Sequence, residues 1–190
     1  PPRSTLFPYT TLFRSGANIE VKDMFDHLKE AIKNWKDVKE IDNYLNKMLN
    51  KDAYNRTGLI YGIGHAVYTI SDPRAILLKE LARKLAEEKG KQKEFDFLAL
   101  LEERAINAFM NYKGSDINKQ VCTNVDFYSA FVYDTMGIPV EVYTPLFAMS
   151  RVTGWTAHRI EELNFASKRI IRPAYKNVGE KYPFIPLNKR

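Results

Sequence analysis

Residues 59–90 read LIYGIGHAVYTISDPRAILLKELARKLAEEKG, a glycine-containing loop that leads into a helix. Gly62 and Gly64 interrupt any helical pattern, so the first part of this stretch is predicted to be an extended loop. The Asp72-Pro73 pair is typical of a helix start, with the aspartate as N-cap and the proline at the first helical position, where its missing N–H costs nothing. Apolar residues at helical spacing then continue this helix to the end of the stretch.

Helical spacing of apolar residues also dominates on both sides of this stretch. Five further helices are predicted around the apolar runs at residues 21–32, 38–49, 95–109, 127–133 and about 144–163. No regular run of strand-like alternation and no short-period repeat is present. The sequence therefore predicts an all-α fold.

Composition restricts the function classes. The net charge is +6, but the basic residues alternate with acidic ones, as at Lys79-Glu80. This alternation favours solvated helix faces over a nucleic-acid surface. Small anionic metabolites remain candidate ligands. Cys122 is the single cysteine, which excludes an intrachain disulfide and a cysteine-based zinc site and favours a cytoplasmic setting. No stretch approaches the roughly 18 uncharged apolar residues of a membrane span, and the N-terminus lacks a signal-peptide layout. We expect no metal, no nucleic acid and no membrane association.

Residues 1–15, PPRSTLFPYTTLFRS, differ from everything that follows. They contain no acidic residue and no helical or strand period, and the string STLF nearly recurs as TTLF. Such a segment resembles translated adapter sequence and is set apart from the fold. The alternative interpretation is an N-terminal arm or hairpin.

His65 and Arg74 are the first candidates for chemistry. Glycines beside His65 allow close approach of the backbone to a ligand, and an arginine in a first helical turn offers a planar fork for a carboxylate. An anion site is one interpretation of this pattern. The other is a plain loop in which His65 hydrogen-bonds the backbone and Arg74 pairs with an acid.

Asp126 is the second candidate, in the sequence NVDFYS at residues 124–129. Apolar surroundings would raise the pKa of its carboxyl towards that of a general base, whereas helix N–H groups would lower it, and it could also be a simple N-cap. Arg151 and Arg172 lie in apolar sequence, where an arginine needs an acidic or ligand partner unless its head reaches solvent.

Four segments in this order resemble citrate synthases: GIGHAVY with DPR, NVDFYS, TPLFAMSR and RIIRP. The resemblance runs from about Gly16 to the C-terminus. It implies an all-α homodimer in which residues 16 to about 125 form the small domain and residues 126–190 the C-terminal part of the large domain.

The resemblance also implies condensation of acetyl-CoA with oxaloacetate and hydrolysis of citryl-CoA. Asp126 matches the general base of the family, and His65 matches the histidine that polarises the oxaloacetate carbonyl. The matching substrate-clamping arginines are Arg74, Arg151 and Arg172, of which the last reaches the site of the partner subunit. The segment Gly62-Ile63-Gly64 matches the backbone that lies along the coenzyme A adenine. No permanently bound cofactor is implied, since acetyl-CoA is a co-substrate.

One departure from the family concerns catalysis. The family motif His-Gly-Gly-Ala-Asn is reduced here to Gly16-Ala17-Asn18, and Arg14 stands where its histidine is expected. That histidine assists enolisation, so the fragment itself is expected to have little or no activity. Two alternatives remain in view: a 2-methylcitrate synthase that uses propionyl-CoA, and a non-catalytic helical dimerisation or binding module. A nucleic-acid-binding helical protein is a third.

Overall fold

The computed structural model describes residues 16–114, 120–165 and 185–189. Within these ranges the chain consists of helices and connecting loops, and the only β feature is an isolated bridge between Ile63 and Thr123. The helices are α1 (Ala17–Ala31), α2 (Val38–Leu49), α3 (Pro73–Lys89), α4 (Gln92–Lys113), α5 (Val125–Thr135) and α6 (Val140–Leu163), followed by a short 3-10 helix (Leu187–Lys189). The predicted all-α fold is confirmed. The predictions for residues 1–15 and for Arg172 concern residues outside the described ranges.

Helix α3 begins and ends as its sequence predicts. The Asp72 side chain accepts a hydrogen bond from the Arg74 backbone N–H at 3.0 Å, and Pro73 occupies the first helical position. Gly90 ends the helix with a φ of 69°, a left-handed conformation that glycine adopts without strain.

Helix α6 starts earlier than the predicted position near Thr144. The Pro139 carbonyl accepts from the Val142 N–H at 3.0 Å, and the helix is continuous from Val140. Pro145 therefore lies inside the helix instead of opening it. The N–H that Pro145 lacks would have bonded the carbonyl of Glu141, in the first turn, so the loss is confined to one end of the helix.

The chain divides into two compact units, residues 1–152 and 153–190. The first unit contains one hydrophobic core, to which helices α1 to α5 all contribute, with Phe127 and Tyr128 among its fully buried side chains. In the second unit, the end of α6 carries an ion pair between Arg159 and Glu162, with Nη1 and Oε2 2.6 Å apart. The predicted domain border after residue 125 stays a prediction.

Ion pairs connect α1 to the far end of α5. Lys22 lies 2.6 Å from the Asp26 carboxylate and 3.0 Å from that of Asp134, and Lys91 lies 3.1 Å from Asp134. Burial acts to raise the pKa of Asp134, but hydrogen bonds from the two lysines outweigh it and hold the pKa below its usual range. Asp134 is therefore ionised in the folded chain.

This network predicts a loss of stability in acid. Since the folded-state pKa of Asp134 is lowered, its contribution is fully present above the unfolded-state pKa of about 3.9 and disappears as the pH falls through the folded-state value. We expect the urea concentration at the unfolding midpoint to decrease as the pH is lowered below about 4. This decrease should be smaller in Asp134→Asn. Equal pH profiles for the two proteins would contradict this assignment.

Among the described residues, no helix is both long and apolar enough to cross a membrane.

Candidate functional site

The glycine loop is tied to the segment that leads into α5. The Gly64 N–H donates to the Cys122 carbonyl at 2.8 Å, and the Asn124 N–H donates to the Gly62 carbonyl at 2.9 Å. The Asn124 side chain adds a third connection, because its Nδ2 donates to the Gly64 carbonyl at 2.9 Å. The loop and the start of α5 thus form one hydrogen-bonded unit, and the Gly64 N–H is already engaged within it.

Gly62 is required by packing as well as by its backbone. Its φ is 83°, and a Cβ added there would lie 2.7 Å from Cδ2 and 2.9 Å from Cβ of Phe127. No side chain fits at that distance without a shift of the loop or of α5. Because Phe127 follows Asp126 directly, the close contact at Gly62 also determines where Asp126 lies.

The His65 ring presents one nitrogen to the backbone and the other to Arg74. Nδ1 lies 3.0 Å from the Val67 N–H nitrogen and 3.1 Å from that of Tyr68, so Nδ1 is an acceptor and the ring proton is assigned to Nε2. Arg74 Nη2 lies 3.2 Å from Nε2. With the proton on Nε2, this contact brings two donors together and is not itself a hydrogen bond, and an oxygen acceptor of a ligand would satisfy both donors.

Asp72 holds Arg74 in this position. Its side chain is fully buried, and its two oxygens accept from Arg74 Nε at 2.9 Å and from Arg74 Nη2 at 2.7 Å. The hydrogen bonds from the Arg74 guanidinium hold the pKa of the Asp72 carboxyl below its usual range. The two sequence interpretations of this loop are therefore compatible, because the backbone bonds of His65 and the acidic partner of Arg74 are what orient the two donors.

Asp126 lies in the first turn of α5, and the N-cap of that helix is Asn124, whose Oδ1 accepts from the Asp126 N–H at 3.0 Å. The interpretation of Asp126 as an N-cap is therefore wrong. Burial raises the pKa of its carboxyl above the usual range, although Arg151, Arg74 and His65 oppose the rise. The sequence left open whether the pKa of Asp126 is raised by apolar surroundings or lowered by helix N–H groups, and burial decides for the rise.

Arg151 reaches the same site from α6. Its positive charge is the strongest of those acting on the Asp126 carboxyl, and its guanidinium lies 5.1 Å from the ring centre of Phe147. The structure thus brings His65, Arg74, Asp126 and Arg151 into one electrostatic neighbourhood. From the sequence, Asp72 was predicted only as the N-cap of α3. Its second role is to bind the Arg74 guanidinium, and the one sequence signal for this role is that the two residues are two positions apart.

No group of three or more metal-ligating side chains is found within residues 16–114, 120–165 and 185–189.

Comparison with known proteins identifies the family. The model of the citrate synthase C-terminal domain matches residues 12–174. The chain is 40% identical to the citrate synthase of Haloferax volcanii over 141 residues, which are 74% of this chain and 34% of that protein. It is 41% identical to the 2-methylcitrate synthase of Shewanella oneidensis over 120 residues, 63% of this chain and 29% of that protein.

A solved structure gives the same result. The ternary complex of carboxymethyl coenzyme A and oxaloacetate with the citrate synthase of Thermoplasma acidophilum superimposes with a TM-score of 0.60 at 32% identity, over 93% of this chain and 42% of that one. The chain belongs to the citrate synthase family. It spans 34% of the length of the Haloferax volcanii enzyme and 42% of the Thermoplasma acidophilum chain.

Proposed function

We propose that the chain is part of a citrate synthase that condenses acetyl-CoA with oxaloacetate and hydrolyses citryl-CoA to citrate and CoA. The observation that carries this proposal is the convergence of His65 Nε2–H and Arg74 Nη2 beside a carboxylate, Asp126, whose pKa is raised by burial. A relative of known structure binds oxaloacetate and a coenzyme A derivative, which supports the same ligands here.

The proposed chemistry begins at Asp126. A carboxylate of raised pKa is a stronger base than one in water, and it would remove a proton from the acetyl methyl group of acetyl-CoA. His65 would donate its Nε2–H to the oxaloacetate carbonyl oxygen, where negative charge develops as the new carbon–carbon bond forms. Arg74 and Arg151 would hold the substrate carboxylates as paired cations.

Other parts of the proposal concern the whole protein. We propose a cytoplasmic homodimer in which Arg172 reaches the site of the partner, acetyl-CoA lies along Gly62-Ile63-Gly64, and neither a metal nor a permanently bound cofactor is needed. The histidine of the family motif would come from sequence upstream of Gly16, so this chain alone should have little or no activity. The gene read upstream of Gly16 should then encode His-Gly-Gly.

Binding of oxaloacetate to the chain is the direct test. We expect saturable NMR shifts of the His65 and Arg74 side-chain signals, with a dissociation constant of roughly 1–10 mM because the chain spans only part of the length of its relatives. Arg74→Gln should abolish the shifts of the His65 signals. Arg83→Gln is the matched control, since Arg83 lies on the same helix and pairs with Glu87. Equal behaviour of the two variants, or no shift in the unmodified chain, would argue for a non-catalytic helical module.

A second candidate is a 2-methylcitrate synthase that uses propionyl-CoA, favoured by the 41% identity to the Shewanella oneidensis enzyme. The two candidates share the proposed base and donors and differ in the acyl group. Turnover of acetyl-CoA and propionyl-CoA by the complete enzyme separates them, and a preference for propionyl-CoA would overturn the first choice.

A further inference from the structure

Glu102 of α4 lies at a junction of three helices. Its Oε2 accepts from the Tyr128 hydroxyl of α5 at 2.5 Å and from Lys79 Nζ of α3 at 2.6 Å. The Lys79 ammonium also lies over the Tyr128 ring, 5.7 Å from its centre. The helix that carries Arg74 and the helix that carries Asp126 are thus both bonded to one carboxylate.

The protonation states make these contacts charge-assisted. Burial acts to raise the pKa of Glu102, but hydrogen bonds from Lys79 and Tyr128 outweigh it and hold the pKa below its usual range. Burial raises the pKa of Tyr128, whose side chain is fully enclosed, far above its usual range. Glu102 is therefore an anion and Tyr128 a neutral donor, the pairing that gives a strong and directional hydrogen bond.

The position of Tyr128 gives this bond a consequence at the site. Asp126, Phe127 and Tyr128 are consecutive in the first turn of α5, so their side chains leave the helix about 100° apart. Phe127 packs against Gly62, and Tyr128 is held by Glu102. With two of the three directions fixed, the third, which belongs to Asp126, is fixed as well.

We propose that Glu102 is a positioning residue, which through Tyr128 sets the rotation of α5 that keeps Asp126 facing His65, Arg74 and Arg151. Lys79 bonds α3 to the same carboxylate. Glu102 therefore also positions Arg74, which lies on α3, relative to Asp126. The inference rests on the proposed role of Asp126 as a base.

The Asp126 carboxyl itself reports on its position. Its pKa responds to burial and to the charges that face it, which are Asp72 and Arg74 at the start of α3, His65 in the loop, and Arg151 on α6. Burial is the largest of these influences. Release of Tyr128 would let the carboxyl turn towards water, and its pKa should fall towards the ordinary value.

The experiment is a carbon-detected NMR titration of Asp126 in the 190-residue chain. Tyr128→Phe leaves every charge in place and is expected to lower the pKa of Asp126 by roughly one unit. Glu102→Met, which removes both acceptor oxygens, should lower it at least as far. In the double variant, the shift should equal that of Glu102→Met alone, because both changes break the same hydrogen bond.

Asp42→Asn is the matched control. It removes the carboxylate that pairs with Arg104, two residues beyond Glu102 on α4, and Asp42 belongs to α2. The pKa of Asp126 should not change in this variant. An unchanged pKa in Tyr128→Phe, with native helical circular dichroism, would overturn the proposal. Loss of the helical signal in Tyr128→Phe would also overturn it, since the network would then support the fold as a whole. The titration needs no substrate, so failed oxaloacetate binding would leave its result intact.

Discussion

Gly62→Ala is expected to lower the free energy of unfolding of the chain by about 2–4 kcal/mol, through two effects that add. Alanine is strained at a φ of 83°, and its Cβ would lie 2.7 Å from the Phe127 ring and 2.9 Å from the Phe127 Cβ. Relief requires the loop and the first turn of α5 to separate. Urea denaturation followed by circular dichroism measures this loss.

Gly64→Ala is the matched control for this prediction. Its φ of 94° is as unfavourable for alanine, but nothing lies within 4 Å of an added Cβ. The backbone cost alone, about 1–2 kcal/mol, should remain. If both substitutions cost the same, the contact between Gly62 and Phe127 contributes nothing beyond backbone strain.

The fold was largely predictable because its signals are local. Apolar spacing, the Asp72-Pro73 start and the Gly90 end all act within one helix, and α3 follows them. Helix α6 begins at Val140, four residues before the predicted start near Thr144, because Pro139 and not Pro145 lies at the helix start. The local sequence is compatible with a helix start near Pro139 or near Thr144, and the tertiary structure determines which one forms.

The site was predictable in its members and less so in its arrangement. His65, Arg74, Asp126 and Arg151 were all named from sequence, and the structure brings them together. The pKa of Asp126 was not predictable, because helix N–H groups and burial act in opposite directions and only the tertiary packing decides between them. The position of Arg172 relative to this site stays a prediction.

Glu102 shows what the sequence could not indicate at all. It is one acidic residue among several on an amphipathic helix, and its partners lie 23 and 26 positions away in the sequence. Only the packing of α3, α4 and α5 brings a lysine and a tyrosine to the same carboxylate. Local sequence patterns therefore identify candidate ligand-binding residues more readily than the residues that position them.

Asp126→Asn is expected to lower kcat by about 10²–10⁴-fold in the complete enzyme that contains this chain. Asparagine has nearly the same shape and keeps the contacts of the first turn of α5, but it cannot act as the proposed base, because a neutral amide does not accept the proton. KM for oxaloacetate should change little, since His65 and Arg74 remain. Release of CoA, followed with a thiol reagent, measures the rate.

Asp134→Asn separates this effect from a general loss of structure. Asp134 lies on the same helix as Asp126 and is bonded to Lys22 and Lys91, so its replacement weakens the anchoring of α5 without touching the proposed base. We expect a lower urea midpoint for Asp134→Asn with kcat within a few-fold of the unmodified enzyme. A loss of kcat as large as that of Asp126→Asn would mean that the rate depends on the stability of α5, and the assignment of Asp126 as the base would lose its support.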